Sequence, residues 1–110
     1  MIILQASILA HDNKRNELMG ACRLITDQTR KENDCEKSNV YRDHANENII
    51  TVEQHWKQWP SMKNYFLSDH FTALLGAMKW LGMSYEIRII GGTPKEGMDA
   101  FKRARNTRRK

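Results

Sequence analysis

The sequence predicts an α+β domain, a ferredoxin-like βαββαβ chain forming one antiparallel sheet with helices on one face. Three observations predict it. Runs of apolar and β-branched residues alternate with stretches of three- and four-residue apolar spacing, in the order strand, helix, strand, strand, helix, strand. The two middle runs are separated by Asp43-His44-Ala45-Asn46, whose Asp and Asn suit a hairpin turn. The chain has 110 residues, which suggests one domain.

Residues 1–9 are an apolar run of strand length. His11-Asp12-Asn13 offers N-cap chemistry for a helix over 14–30, because Asp and Asn side chains can accept from its first free amides. Leu18, Cys22, Ile25 and Thr29 form its apolar stripe, and Gly20 weakens it. Lys31-Glu32-Asn33-Asp34 is a polar break. Residues 35–43 and 47–56 are the arms of the hairpin. In the second arm Ile50, Val52, Gln54 and Trp56 share one face, and Ile49, Thr51, Glu53 and His55 the other.

Pro60 suits a first helical turn, so a short helix is expected over 59–67. Ser68-Asp69 then caps a second helix over 70–81. Phe71, Leu74, Leu75, Met78 and Leu81 make its stripe, with Trp80 turned away from it. Gly82 is expected to end that helix in a left-handed conformation. Residues 83–90 alternate as a last strand, with Ser84, Glu86, Arg88 and Ile90 on the side away from the helices.

The net charge of +5 is unevenly distributed. Residues 1–92 carry 11 Lys and Arg against 11 acids, and residues 93–110 carry seven against two. The expected organisation is a folded domain over 1–92 and a basic tail over 93–110, with Phe101 as the tail's large apolar anchor and a short helix possible over 96–104. Any attraction to nucleic acid belongs to that tail. No apolar run is long enough to span a membrane, and the first residues do not read as a signal peptide. Cys22 and Cys35 are therefore expected as free thiols in a cytoplasmic protein. The sheet face without helices mixes Ile49 and Ile90 with Thr51, Glu53, His55, Glu86 and Arg88. A face of that mixture suits an interface, so a homodimer is expected.

Four pieces carry a resemblance to a known family: the polar break leading to Cys35 and Val40-Tyr41-Arg42-Asp43; the hairpin with Asn46 and Asn48; the strand end from Glu53 to Trp56; and Ser68-Asp69-His70-Phe71 before an apolar helix. In order and spacing the chain resembles the antibiotic biosynthesis monooxygenase domains of the dimeric α+β barrel superfamily, over roughly 1–90. The resemblance implies a homodimer with its sheets packed face to face and a pocket in each subunit between helices and sheet. It implies cofactor-independent oxidation of a hydroquinone or anthrone by O2; other relatives cleave haem. Two departures stand out. Glu53 and Trp56 are separated by two residues where the family pattern has one, so a bulge at Gln54-His55, or His55 in the place of the Trp, would be needed. The Asn that some quinone-forming members carry four residues before the Trp is Val52 here, or Thr51 if His55 is the equivalent.

The stretch from Asn46 to Phe71 gathers large aromatics beside groups that titrate near neutral pH, the makings of a small-ligand pocket and equally of a core. His70, at a helix start whose positive end favours the neutral imidazole, is the first candidate for a base taking a phenolic proton. His55 is the second, or else faces the sheet's open side with Glu53. Trp56, Trp59, Met62, Tyr65, Phe66, Phe71 and Met78 are the candidate walls for a small aromatic substrate, or plain packing. The histidines lack metal-ligand spacing, so no metal and no cofactor are expected. The other reading is a non-catalytic dimeric module that binds a small apolar ligand.

Overall fold

The structure is a computed structural model, which describes residues 1–91. The expectations for the tail lie outside the described residues. Seven elements follow one another: β1 (Ile2–Ala10), α1 (Arg15–Thr29), β2 (Cys35–Arg42), β3 (Ile49–Trp56), α2 (Trp59–Phe66), α3 (Asp69–Leu81) and β4 (Gly82–Ile90). The four strands form one antiparallel sheet in the order β2-β3-β1-β4. This is the ferredoxin-like α+β arrangement, with the helices on one face. Among the described residues no helix is long and apolar enough to cross a membrane.

In the two central strands, β1 and β3, strict two-residue alternation decides which side chains are covered. In β1, Ile2, Leu4, Ala6, Ile8 and Ala10 are buried, and Ile3, Gln5, Ser7 and Leu9 lie on the other face. In β3, Ile50, Val52, Gln54 and Trp56 turn inward, and Ile49, Thr51, Glu53 and His55 turn outward. Helix α1 contributes Leu18, Cys22, Ile25, Thr26 and Thr29 to the core. Helix α3 contributes Phe71, Leu74, Leu75, Ala77 and Met78. Trp80, at 81% exposure, points into solvent.

Several local expectations are corrected. Lys14 is the N-cap residue of α1 and makes no side-chain capping bond, so Asp12 and Asn13 do not serve that end. The hairpin loop is longer than a tight turn. In it Asp43 Oδ2 accepts from the amides of Ala45 and Asn46 at 3.0 and 2.8 Å, and Asn46 Oδ1 from that of Asn48 at 3.0 Å. Gly82 is extended (φ −102°, ψ 140°), not left-handed, and begins β4. Its reason is contact: a Cβ there would meet Ile8 Cγ2 and the Met78 carbonyl oxygen, each at 2.7 Å. No bulge interrupts β3, which pairs with β1 residue for residue from Ile2↔Trp56 to Leu9↔Ile49. One irregularity sits on β2, where Cys35 pairs with Trp56 and Lys37 with His55, leaving Glu36 as the extra residue, and another in the β1–β4 pairing, where Leu9 pairs with Ser84 and Ala10 with Gly82.

Candidate functional site

Without a bulge in β3, Trp56 and His55 must face opposite ways. Trp56 enters the helix-covered interior, where it is 1% exposed. His55 lies on the open sheet face, its Nε2 3.0 Å from Glu53 Oε2 and its Nδ1 3.2 Å from Met1 Sδ. Glu53 also accepts from Gln5 Nε2 at 2.6 Å. The Gln5 amide and then the His55 ring hold the Glu53 carboxyl below its ordinary value.

Inside, Trp56 and Tyr65 stand 5.1 Å apart between ring centroids. Gln54, fully buried, joins them: Trp56 Nε1 donates to Gln54 Oε1 at 3.1 Å, and Gln54 Nε2 donates to the Tyr65 hydroxyl at 2.9 Å. Burial pushes the Tyr65 phenol up to about 12, against the opposing pull of Gln54 and the Thr29 hydroxyl nearby. A phenol so held stays neutral at physiological pH. Tyr65 also meets Phe71 edge-on at 5.4 Å, and Phe71 lies 4.9 Å from Phe66. Met62, Phe66, Phe71 and Met78 are buried in this cluster. They are packed core and do not reach the cleft described next. Trp59 packs against the same cluster, partly buried.

The cleft, about 180 Å3, opens where the α1–β2 loop meets α2 and the start of α3. Trp56 and Tyr65 close its floor, and its walls are Glu32 and Asn33 on the loop, Ser61 and Asn64 on α2, and Ser68. Asp34 fastens the loop to α2. Its backbone is left-handed (φ 66°), a conformation that Asp tolerates better than most residues. Its carboxylate accepts from Ser61 Oγ at 2.6 Å and from Gln58 Nε2 at 2.8 Å. Those two bonds, Ser61's first, hold the Asp34 carboxyl below its ordinary value. On the far wall Ser68 caps α3, accepting from the Phe71 amide at 3.2 Å and donating to the Tyr65 carbonyl at 2.6 Å.

His70 is in the first turn of α3 but does not itself line the cleft. Its Nδ1 lies 3.1 Å from Glu32 Oε1, with the two side chains 34% and 38% exposed. The approach lacks hydrogen-bond geometry, so Nδ1 is left without a hydrogen-bond partner. The structure thus joins His70 to the cleft through Glu32 and separates His55 from it by the thickness of the sheet. A second hollow, about 370 Å3, lies against the open sheet face beside Ser7, Leu9, Ile49 and Glu86. Among the described residues no group of His, Cys, Asp and Glu could hold a metal ion. Both cysteines are free thiols; burial raises the Cys22 thiol to about 12 and raises Cys35 as well.

Three solved structures share this architecture. A conserved protein from Methanosarcina mazei superposes with a TM-score of 0.75 at 27% identity, covering 84% of this chain and 92% of its own. A candidate antibiotic biosynthesis monooxygenase from Deinococcus radiodurans gives 0.77 at 20% identity, over 84% of this chain and 93% of its own. A further antibiotic biosynthesis monooxygenase gives 0.74 at 15% identity, over 86% of this chain and all of its own. The chain has the fold of the antibiotic biosynthesis monooxygenases. No protein-family model and no curated protein matches it. A shared fold leaves the cleft's chemistry to the residues themselves.

Glu32, Asn33, Asn64 and Ser61 were not singled out as site residues from sequence. The signal available was the polar break 31–34, which reads as an ordinary loop until Asp34 is seen tying it to α2.

Proposed function

We propose that the chain is a cofactor-independent monooxygenase that oxidises a small hydroquinone-type aromatic with O2. The observation that carries this reading is the Glu32–His70 contact at the wall of a cleft floored by Trp56 and Tyr65. The fold shared with antibiotic biosynthesis monooxygenases supports it. In the reaction, a phenolic proton passes to the imidazole–carboxylate pair as the electron-rich ring reduces O2. One oxygen atom enters at a ring C–H carbon and the other leaves as water. The ring supplies all four electrons, and the product is a hydroxyquinone. The protein's part is to bind the ring, accept the proton and keep bulk water from the intermediates. The acting unit is a homodimer joined through the open sheet face.

Oxygen uptake with a panel of hydroquinones tests this. His70→Ala should lower turnover by at least about 10²-fold, the lower bound for a general base. His55→Ala should leave the chemical step unchanged, since His55 is across the sheet from the cleft. Uptake abolished by His55→Ala and untouched by His70→Ala would move the base to the strand.

A second reading has its own support. The interior is filled by Trp56, Met62, Phe66, Phe71 and Met78, and the cleft is lined by neither His70 nor Met62, Phe66, Phe71 and Met78. A non-catalytic, ligand-binding dimeric module would be built in this way. Binding of ring compounds with no oxygen uptake, in a folded protein, selects it.

A further inference from the structure

The cleft also limits what can be bound, and this step rests on the reading of the cleft as a substrate site. We infer that it takes a single-ring dihydroxyaromatic, a hydroquinone or catechol, with one hydroxyl received by the Glu32 carboxylate. Fused two- and three-ring quinols are too large for it.

Size comes first. A cavity of about 150 Å3 admits benzene, and drug-sized ligands occupy about 300–1,000 Å3. At about 180 Å3 the cleft has room for one substituted ring. Its floor cannot deepen easily. Trp56 and Tyr65 are both pinned through Gln54, and moving either ring would strand buried polar atoms. Its walls are also tied, the loop to α2 through Asp34 and α2 to α3 through Ser68. A larger ligand would have to leave its further rings in solvent.

Chemistry comes second. Of the polar wall groups, Ser61 and Ser68 already spend their hydroxyl protons on Asp34 and on the Tyr65 carbonyl. The side chains that remain to meet a ligand are the Glu32 carboxylate and the Asn33 and Asn64 carboxamides. A carboxylate can only accept, so it selects a hydroxyl over a carbonyl and favours the reduced ring over the quinone product. The carboxamides can meet a second hydroxyl. A phenolic hydroxyl is also a stronger donor to a carboxylate than a polyol's hydroxyl, while Trp56 and Tyr65, 1% and 3% exposed, back the cleft without opening a broad ring surface to it. In this arrangement Glu32 is the group that touches the substrate. His70, 3.1 Å behind it and not itself lining the cleft, completes the proton-accepting pair.

Anaerobic calorimetric titration of the full chain tests the inference apart from turnover, using hydroquinone, catechol, a naphthohydroquinone, an anthrone and myo-inositol. The single-ring compounds should bind at least tenfold more tightly than the fused rings and than inositol. Glu32→Gln should weaken single-ring binding at least tenfold, and Asn64→Ala gives an independent second wall variant with a smaller loss. Fused rings or inositol binding equally well, no single-ring binding at all, or binding indifferent to both variants would overturn it. Single-ring binding through Glu32 with no oxygen uptake would sink the monooxygenase reading and leave this one standing. Oxygen uptake with fused quinols, indifferent to Glu32→Gln, would do the reverse.

Discussion

Asp34 combines a left-handed backbone with a carboxylate that accepts from both Ser61 and Gln58. Because those bonds lower its pKa in the folded state, their stabilisation is present above the unfolded-state value of about 3.9 and is lost as pH falls through the folded value. Glu53, lowered by Gln5 and His55, adds to the same acid limb. Asp34→Asn should therefore lower the thermal midpoint at neutral pH and flatten its fall below about pH 4, read as melting temperature against pH for both proteins. An unchanged acid limb would mean that the carboxylate is not what fastens the loop. Gln54 makes the same point in the interior. Gln54→Leu strands Trp56 Nε1 and the Tyr65 hydroxyl, at about 1–3 kcal/mol for each buried orphan, measurable by urea unfolding. The Tyr65 phenol is raised to about 12, so its contribution is complete below the unfolded value of about 10 and is lost as pH climbs from about 10 to 12. The bonds themselves were not legible beforehand. Gln54 could be placed by alternation on the inner face of its strand beside Trp56, but its other partner, Tyr65, comes from a helix eleven residues on and depends on packing.

At the scale of elements, the strands and helices were legible because side-chain period decides them. The inward set Ile50, Val52, Gln54, Trp56 and the outward set Ile49, Thr51, Glu53, His55 follow from alternation alone. Ser68 as the cap of α3 was equally readable, since a serine just before an apolar stripe has few other uses. The bulge was not readable in the same way. The family pattern asks for an extra residue on β3, but β3 runs regularly; two-against-one pairing is a property of two strands, and Glu36 of β2 carries one that leaves the longer Glu53–Trp56 spacing as it is. Gly82 was read from its place after a helix, whereas its role is a close approach of α3, β4 and β1. Gly82→Ala should cost about 1–3 kcal/mol, as overpacking does, because the Met78 carbonyl oxygen 2.7 Å from the new Cβ belongs to the backbone and cannot rotate away. Chemical denaturation gives the value. A neutral effect would mean that α3 slides on the sheet.

At the scale of the whole molecule, among the described residues one face of the sheet has helices over it and the other has none. The uncovered face carries Ile3, Gln5, Ser7 and Leu9 from β1, Ile49, Thr51, Glu53 and His55 from β3, and Ser84, Glu86, Arg88 and Ile90 from β4. Its polar groups are partly satisfied within the face: Ser7 with Thr51 at 3.0 Å, and Gln5 and His55 with Glu53. Satisfied polar groups among isoleucines and a leucine make a face that another surface can cover without leaving buried orphans. A second copy is the occupant this composition favours. A two-fold pairing is self-complementary, and the face supplies both acids (Glu53, Glu86) and bases (His55, Arg88) for it. Light scattering at micromolar concentration should give twice the mass of one chain. Thr51→Arg, at the centre of the face, should give the single-chain mass with the fold retained, because it breaks the Ser7–Thr51 hydroxyl pair and adds a long cation that a two-fold pairing sets against its own copy. A single-chain mass for the unaltered protein would remove the dimer. The cleft would not fall with it, because Glu32, Trp56, Tyr65 and His70 are all supplied by one chain on the opposite side of the sheet.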